Sequence, residues 1–234
     1  MCLPTSHTTT KVTSNLINRN NDLKVVMGSL KCLGLALAEN KDEVKLAISL
    51  EILPELLRLL NANEPIVRKQ AAWVISNITA ETEEEIKSVL STGVMAKIIF
   101  LAGKDKYEIR KECIWTISNA TANSNIEQIK ELVSLGALEV LCLFITSNDI
   151  RTLSIALDGI INLLSRAKKE LGEEVMNELA LKVENCGGLD KIVEFQTHPN
   201  TIIYEKAVHI IETFFEVEDT DTTEPTKPTS IFDF

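Results

Sequence analysis

Lys69-Gln70-Ala71-Ala72-Trp73-Val74-Ile75-Ser76-Asn77-Ile78-Thr79-Ala80 and Lys111-Glu112-Cys113-Ile114-Trp115-Thr116-Ile117-Ser118-Asn119-Ala120-Thr121-Ala122 are near-copies of one another, 42 residues apart. The sequence has only two tryptophans, and each falls at the same place in its copy, four residues before an asparagine. Residues i and i+4 share one face of an α-helix, so each Trp–Asn couple projects from one side. Two such helices packed side by side would set the couples out as a ladder.

Working outward, the apolar pattern repeats the same order of events around each copy. From Leu23 the residues Leu23, Val26, Met27, Leu30, Leu33 and Leu37 recur at three- and four-residue steps, predicting an amphipathic helix that ends near Glu39-Asn40. A short helix follows Asp42, then a second over Ile52 to Leu60 with Pro54 in its first turn, where proline is tolerated. After a break at Asn63-Glu64-Pro65, Pro65 opens the longer helix that carries Trp73 and Asn77. Short helix, turn, medium helix, break and long helix then recur through Trp115, through Ile150 to Ala167, and finally through Ile202 to Phe215. Glu51 and Gly93 both stand 22 residues before a Trp, at the turn between short and medium helices. No segment alternates as a strand would.

A three-helix unit of this period matches armadillo and HEAT repeats of about 40–47 residues, which stack because one unit cannot bury its apolar face alone. The expected fold is all-α, an armadillo-repeat right-handed superhelical solenoid with a concave groove. Its expected limits are a disordered or loosely packed lead-in over 1–21, an array over 22–217 made of a partial first repeat plus four repeats, and an acidic flexible tail over 218–234. In register, the Trp position holds Lys31, Trp73, Trp115, Asp158 and His209, and the Asn position holds Leu35, Asn77, Asn119 and Asn162.

Composition narrows the chemistry. The net charge of −10 disfavours a nucleic-acid surface and suits a basic partner. No apolar run reaches the length of about 20 residues that spans a membrane, and the polar start lacks a signal peptide's apolar core, so a soluble intracellular chain is expected. Five cysteines without close spacing argue against disulfides and a cysteine zinc site, and Cys32 and Cys113 read as buried small hydrophobes. The three histidines (His7, His198, His209) lie far apart. No nucleophile–base set, phosphate loop or metal motif is present, so no enzyme activity, cofactor or metal is expected.

The ladder itself suggests a ligand. Packed helices lie about 8–10 Å apart, and alternate side chains of an extended peptide lie about 7 Å apart. Lys or Arg side chains of such a peptide can lie between indole rings, which attract the cation and pack along its methylenes. An Asn carboxamide, donor and acceptor together, can hold the peptide main chain. Glu112, three residues before Trp115, supplies a carboxylate on the same face, whereas Gln70 holds the equivalent place before Trp73. A helical Trp is ordinarily a core residue, but Ile66, Val74, Ile75 and Ile78 already supply a core face here. The expected peptide-binding residues are Trp73, Asn77, Trp115, Asn119, Glu112, Ser76, Ser118, Asp158 and Asn162.

The segments Trp73 to Ala80 and Trp115 to Ala122 resemble the third-helix signatures of the importin-α (karyopherin-α) family. Cys186-Gly187-Gly188-Leu189-Asp190-Lys191-Ile192 and Tyr204-Glu205-Lys206-Ala207 through Phe214-Phe215 are similar to its last repeat. The resemblance covers about Leu23 to Val217 and implies the C-terminal half of a nuclear import adapter. It implies that Trp73, Asn77, Trp115, Asn119 and Glu112 map onto the minor site for basic nuclear localisation signal peptides. It also implies contact of Glu216 to Glu224 with the export receptor, and a protein that moves between cytoplasm and nucleus. The sequence departs from the family at Lys31, Leu35 and Gln70. It also lacks the basic N-terminal segment that binds importin-β, so that partner is not expected, nor are nucleic acid and membrane. The alternative is a generic armadillo scaffold that is not specific for basic peptides.

Overall fold

The computed structural model describes residues 6–19 and 22–215. Residues 218–234, expected to form an acidic tail, lie outside these, as does Cys2. Among the described residues there are fourteen α-helices, one short 3-10 turn at Phe195–Thr197 and no strand. Two helices, α1 (Ser6–Arg19) and α2 (Leu23–Glu39), precede four triplets. The triplets are α3 (Lys41–Ser49), α4 (Ile52–Leu59), α5 (Pro65–Thr79); α6 (Glu83–Ser91), α7 (Val94–Lys104), α8 (Tyr107–Asn123); α9 (Ile126–Ser134), α10 (Ala137–Phe144), α11 (Ile150–Leu171); and α12 (Glu173–Asn185), α13 (Gly188–Glu194), α14 (Thr201–Phe214).

The third helices form one continuous row, α2 on α5, α5 on α8, α8 on α11 and α11 on α14. The second helices α4, α7 and α10 make a parallel row, as do the first helices α3, α6 and α9. This is the armadillo-repeat solenoid. Every first-to-second helix turn passes through a left-handed residue, Glu51 (φ 56°), Gly93 (74°), Gly136 (91°) and Gly187 (70°). Glycine adopts that region without a Cβ clash, so its recurrence keeps each pair folded at the same angle. Only Glu51 among the described residues departs from glycine there.

Helix starts follow local chemistry. Thr82 and Glu85 form a capping box on α6, and Asn125 and Gln128 form another on α9. Pro65 sits in the first turn of α5, where no hydrogen bond is lost. Between repeats, the Arg68 guanidinium clamps Asp105 with two bonds, 2.6 and 2.8 Å, and Thr79 Oγ1 donates to the Thr116 carbonyl at 3.1 Å. The core runs unbroken from Ile17 to Phe214.

Three expectations change. The lead-in over 1–21 contains α1, which packs on α2, α3 and α4. Its Ile17 is fully buried, and His7 Nδ1 lies 2.8 Å from the buried carboxylate of Glu43. A Thr-rich sequence of weak helix propensity becomes helical because it covers the otherwise bare face of α2. Cys32 is exposed while Cys113 is buried, and Ile66, in the first turn of α5, is 52% exposed and so adds little to the core face. No single helix among the described residues is long and apolar enough to cross a membrane.

Candidate peptide-binding groove

The two Trp–Asn couples occupy equivalent places on adjacent helices, Trp73 and Asn77 on α5, Trp115 and Asn119 on α8. All four side chains are partly exposed. Each couple leans on the preceding helix. Asn77 Nδ2 donates to the Gly34 carbonyl of α2 at 2.9 Å, and Asn119 Nδ2 donates to the Ser76 carbonyl of α5 at 3.0 Å. Gly34 and Ser76 are themselves 42 residues apart, so one contact is made twice in register. Among the described residues, each carboxamide keeps one N–H and its oxygen without a partner. The Asn residues are therefore anchored in a fixed orientation and retain both a donor and an acceptor for a ligand.

Trp73 lies tight on α2, where a Cβ on Gly34 would stand 2.1 Å from its Cζ3. It also packs against the core from its partly buried position. Asn162 continues the Asn row on α11, donating to Thr121 Oγ1 at 3.2 Å. Ser76 and Ser118 are 5% exposed, and the Ser76 hydroxyl donates to the Trp73 carbonyl at 2.8 Å. They line the seam between third helices instead of its open side, because a residue just before the Asn position points into the neighbouring helix.

The carboxylates are not bare. Glu112 is 22% exposed and lies 3.9 Å from Lys69 Nζ of α5, which also approaches Glu108 at 3.4 Å. Burial raises the Glu112 pKa, opposed by Lys69 and Lys111 and assisted by Glu108. Asp158 accepts a 2.6 Å bond from Lys206 of α14. Lys111 pairs with Asp149 at 2.7 Å, which holds the Asp149 carboxyl down to about 2. Lys69 and Lys111 open the two copied segments, four residues before each Trp. That repeated position marks them in the sequence, although it does not say which carboxylate each will meet.

Among the described residues no cluster of His, Cys, Asp and Glu could hold a metal ion. A cleft of about 600 Å³ lies away from the ladder between Tyr107, Arg110, Leu143 and Asp149. An extended peptide needs a shallow row of slots and not an enclosed cavity, so this cleft does not compete with the ladder as its site.

The armadillo/beta-catenin-like repeat family matches residues 40–80, and the atypical Arm repeat family matches 177–229. Importin subunit alpha-8 of Arabidopsis thaliana is 37% identical over 191 residues, covering 81% of this chain and 43% of the relative. Importin subunit alpha-4 of the same plant is 39% identical over 156 residues, 65% of this chain and 29% of the relative. Importin subunit alpha-3 of Caenorhabditis elegans is 40% identical over 92 residues, 39% of this chain and 17% of the relative. The chain thus spans less than half the length of these relatives. A designed armadillo repeat protein solved with a (KR)4 peptide superposes with a TM-score of 0.76 at 24% identity, over 87% of this chain and 80% of the design. Computationally designed armadillo repeat proteins for modular peptide recognition reach 0.76 at 22% identity, over 89% and 91%. Sequence matches at both ends of the array and a shared solenoid agree: the chain is an armadillo-repeat protein, similar to importin subunit alpha over 81% of its length.

Proposed function

We propose that this chain binds basic, Lys/Arg-rich peptides of the nuclear localisation signal type across α5 and α8, as a nuclear import adapter with no catalytic step. The observation that carries this reading is the repeated anchoring of Asn77 on Gly34 and Asn119 on Ser76. It presents two carboxamides and two partly exposed indoles at one spacing. The peptide main chain bonds the carboxamides, its basic side chains lie along the indoles, and Glu112 adds charge selectivity. Trp73, Asn77, Trp115, Asn119 and Glu112 contact the peptide in this reading, and Asn162 extends the row. Importin subunit alpha relatives fit such a role, and it places the protein in both cytoplasm and nucleus. Contact with the export receptor through α12–α14 and residues 216–224 belongs to the same proposal.

Self-pairing of the trough carboxylates with Lys69 and Lys206 favours one rival, an armadillo scaffold that does not select basic peptides. Fluorescence anisotropy with a Lys/Arg-rich peptide and an acidic control, at two salt concentrations, separates them. Binding of the basic peptide alone, weakened by salt, is expected. Equal binding of both peptides would establish the scaffold reading instead.

A further inference from the structure

One small, fully buried residue recurs along the third helices: Ala71, Cys113, Ala156 and Ala207. The residue just before it is Gln70, Glu112, Ile155 and Lys206, and the residue two after it is Trp73, Trp115, Asp158 and His209. Lys206 of α14 therefore stands where Glu112 stands on α8. The same backward reach that brings Glu112 to Lys69 brings Lys206 to α11, with the charge inverted.

The Lys206 ammonium meets three oxygens there. Nζ lies 2.6 Å from Asp158 Oδ2, 2.7 Å from Ser154 Oγ and 3.2 Å from the Ser154 carbonyl. An ammonium has three N–H donors, so this set engages all of them. The Lys206 side chain is 20% exposed, withdrawn from solvent into the seam between α11 and α14. Asp158 occupies the Trp position of the ladder. The third unit thus already holds a cation of the kind a basic peptide would bring.

Resting on the basic-peptide reading above, we propose that Lys206 is a resident stand-in for a ligand lysine, closing the Asp158 slot and limiting the groove to the two Trp units. A ligand ammonium entering this slot must first expel Lys206 and break the bonds it then remakes. Such an exchange adds no net interaction and immobilises the ligand side chain as well. A third basic residue on the α11 side of a bound peptide therefore adds nothing to affinity. A plain staple between α11 and α14 would change stability on removal but not the preference for peptide length.

The test uses the full chain and three peptides by fluorescence anisotropy. One carries basic residues at two alternate positions, and two longer ones add a lysine two residues beyond either end. The wild type should bind all three within about twofold, whereas Lys206→Met should prefer one longer peptide by about tenfold. Adding Asp158→Asn to Lys206→Met should abolish that preference. Lys206→Gln, which keeps the stem and an amide donor, should show the same direction if Lys206→Met folds poorly. Lys104→Met makes the same change in net charge on exposed α7 surface and should keep the wild-type ratio. A tenfold preference already present in wild type, or a ratio unchanged in both Lys206 variants, overturns the proposal alone. Failure of every peptide to bind every variant overturns the basic-peptide reading, and this inference with it.

Discussion

The indole of Trp73 rests on Gly34 so closely that a methyl group there would stand 2.1 Å from Cζ3. The equivalent residue beneath the second couple is Ser76, which already carries a Cβ. The first rung of the ladder is therefore seated against bare backbone and the second is not. Gly34→Ala should displace the Trp73 ring and cost about 1–3 kcal/mol of stability through overpacking. Urea denaturation measures the cost. Fluorescence of the variant in a Trp115→Phe background, where Trp73 is the sole tryptophan, reports the displacement; an unchanged spectrum and midpoint would contradict it.

The two tryptophans should separate on mutation, because Trp73 packs against the core and is seated on bare Gly34, whereas Ser76 stands at the equivalent place before Trp115. Each alanine variant should lose about 1–2 kcal/mol of basic-peptide binding. Trp73→Ala should in addition cost about 2–3 kcal/mol of stability and Trp115→Ala less than about 1. Equal thermal shifts for the two would show that the rungs are seated alike.

Lys69 competes with any ligand cation for Glu108 and Glu112, at 3.4 and 3.9 Å. Lys69→Met should strengthen basic-peptide binding by about 0.5–1 kcal/mol at low salt and by less at high salt. It should also push the Glu112 pKa higher still, since Lys69 opposes the effect of burial. A raised carboxyl pKa means that the folded state holds the proton more tightly than the unfolded chain. Glu112 therefore favours folding at low pH and loses that contribution as pH rises through its shifted pKa. Weaker binding by Lys69→Met would mean that the lysine helps to hold the peptide.

Asp149 has the opposite sign. Bonds from Lys111 and Thr152 lower its pKa from 3.8 to about 2. Its contribution is present above 3.8 and disappears as pH falls towards about 2. Unfolding midpoints measured across that window should fall less steeply for Lys111→Met than for wild type. Parallel acid limbs would show that the pair does not hold the start of α11.

Glu51 carries a left-handed backbone (φ 56°) at the turn where Gly93, Gly136 and Gly187 stand in later repeats. Glu51→Gly removes the Cβ clash and should stabilise the array by about 1 kcal/mol. A lowered melting temperature would mean that the flexibility added to the unfolded chain outweighs the strain released.

The sequence alone determined the helices, their grouping in threes and the placing of each Trp beside its Asn. These depend on spacing within one helix, which the 3.6-residue turn sets without reference to any neighbour. A period of about 42 residues then required stacking, because no single unit could bury its own apolar face. Tertiary structure decided what each polar side chain meets across the seam: Asn119 at the Ser76 carbonyl, Glu112 beside Lys69, and Lys206 at Asp158. It also decided that the Thr-rich stretch Ser6–Arg19 folds as a cover for α2, against its own weak propensity. Such pairings depend on the offset and angle between neighbouring helices, set by the packing of whole surfaces and written in no local pattern.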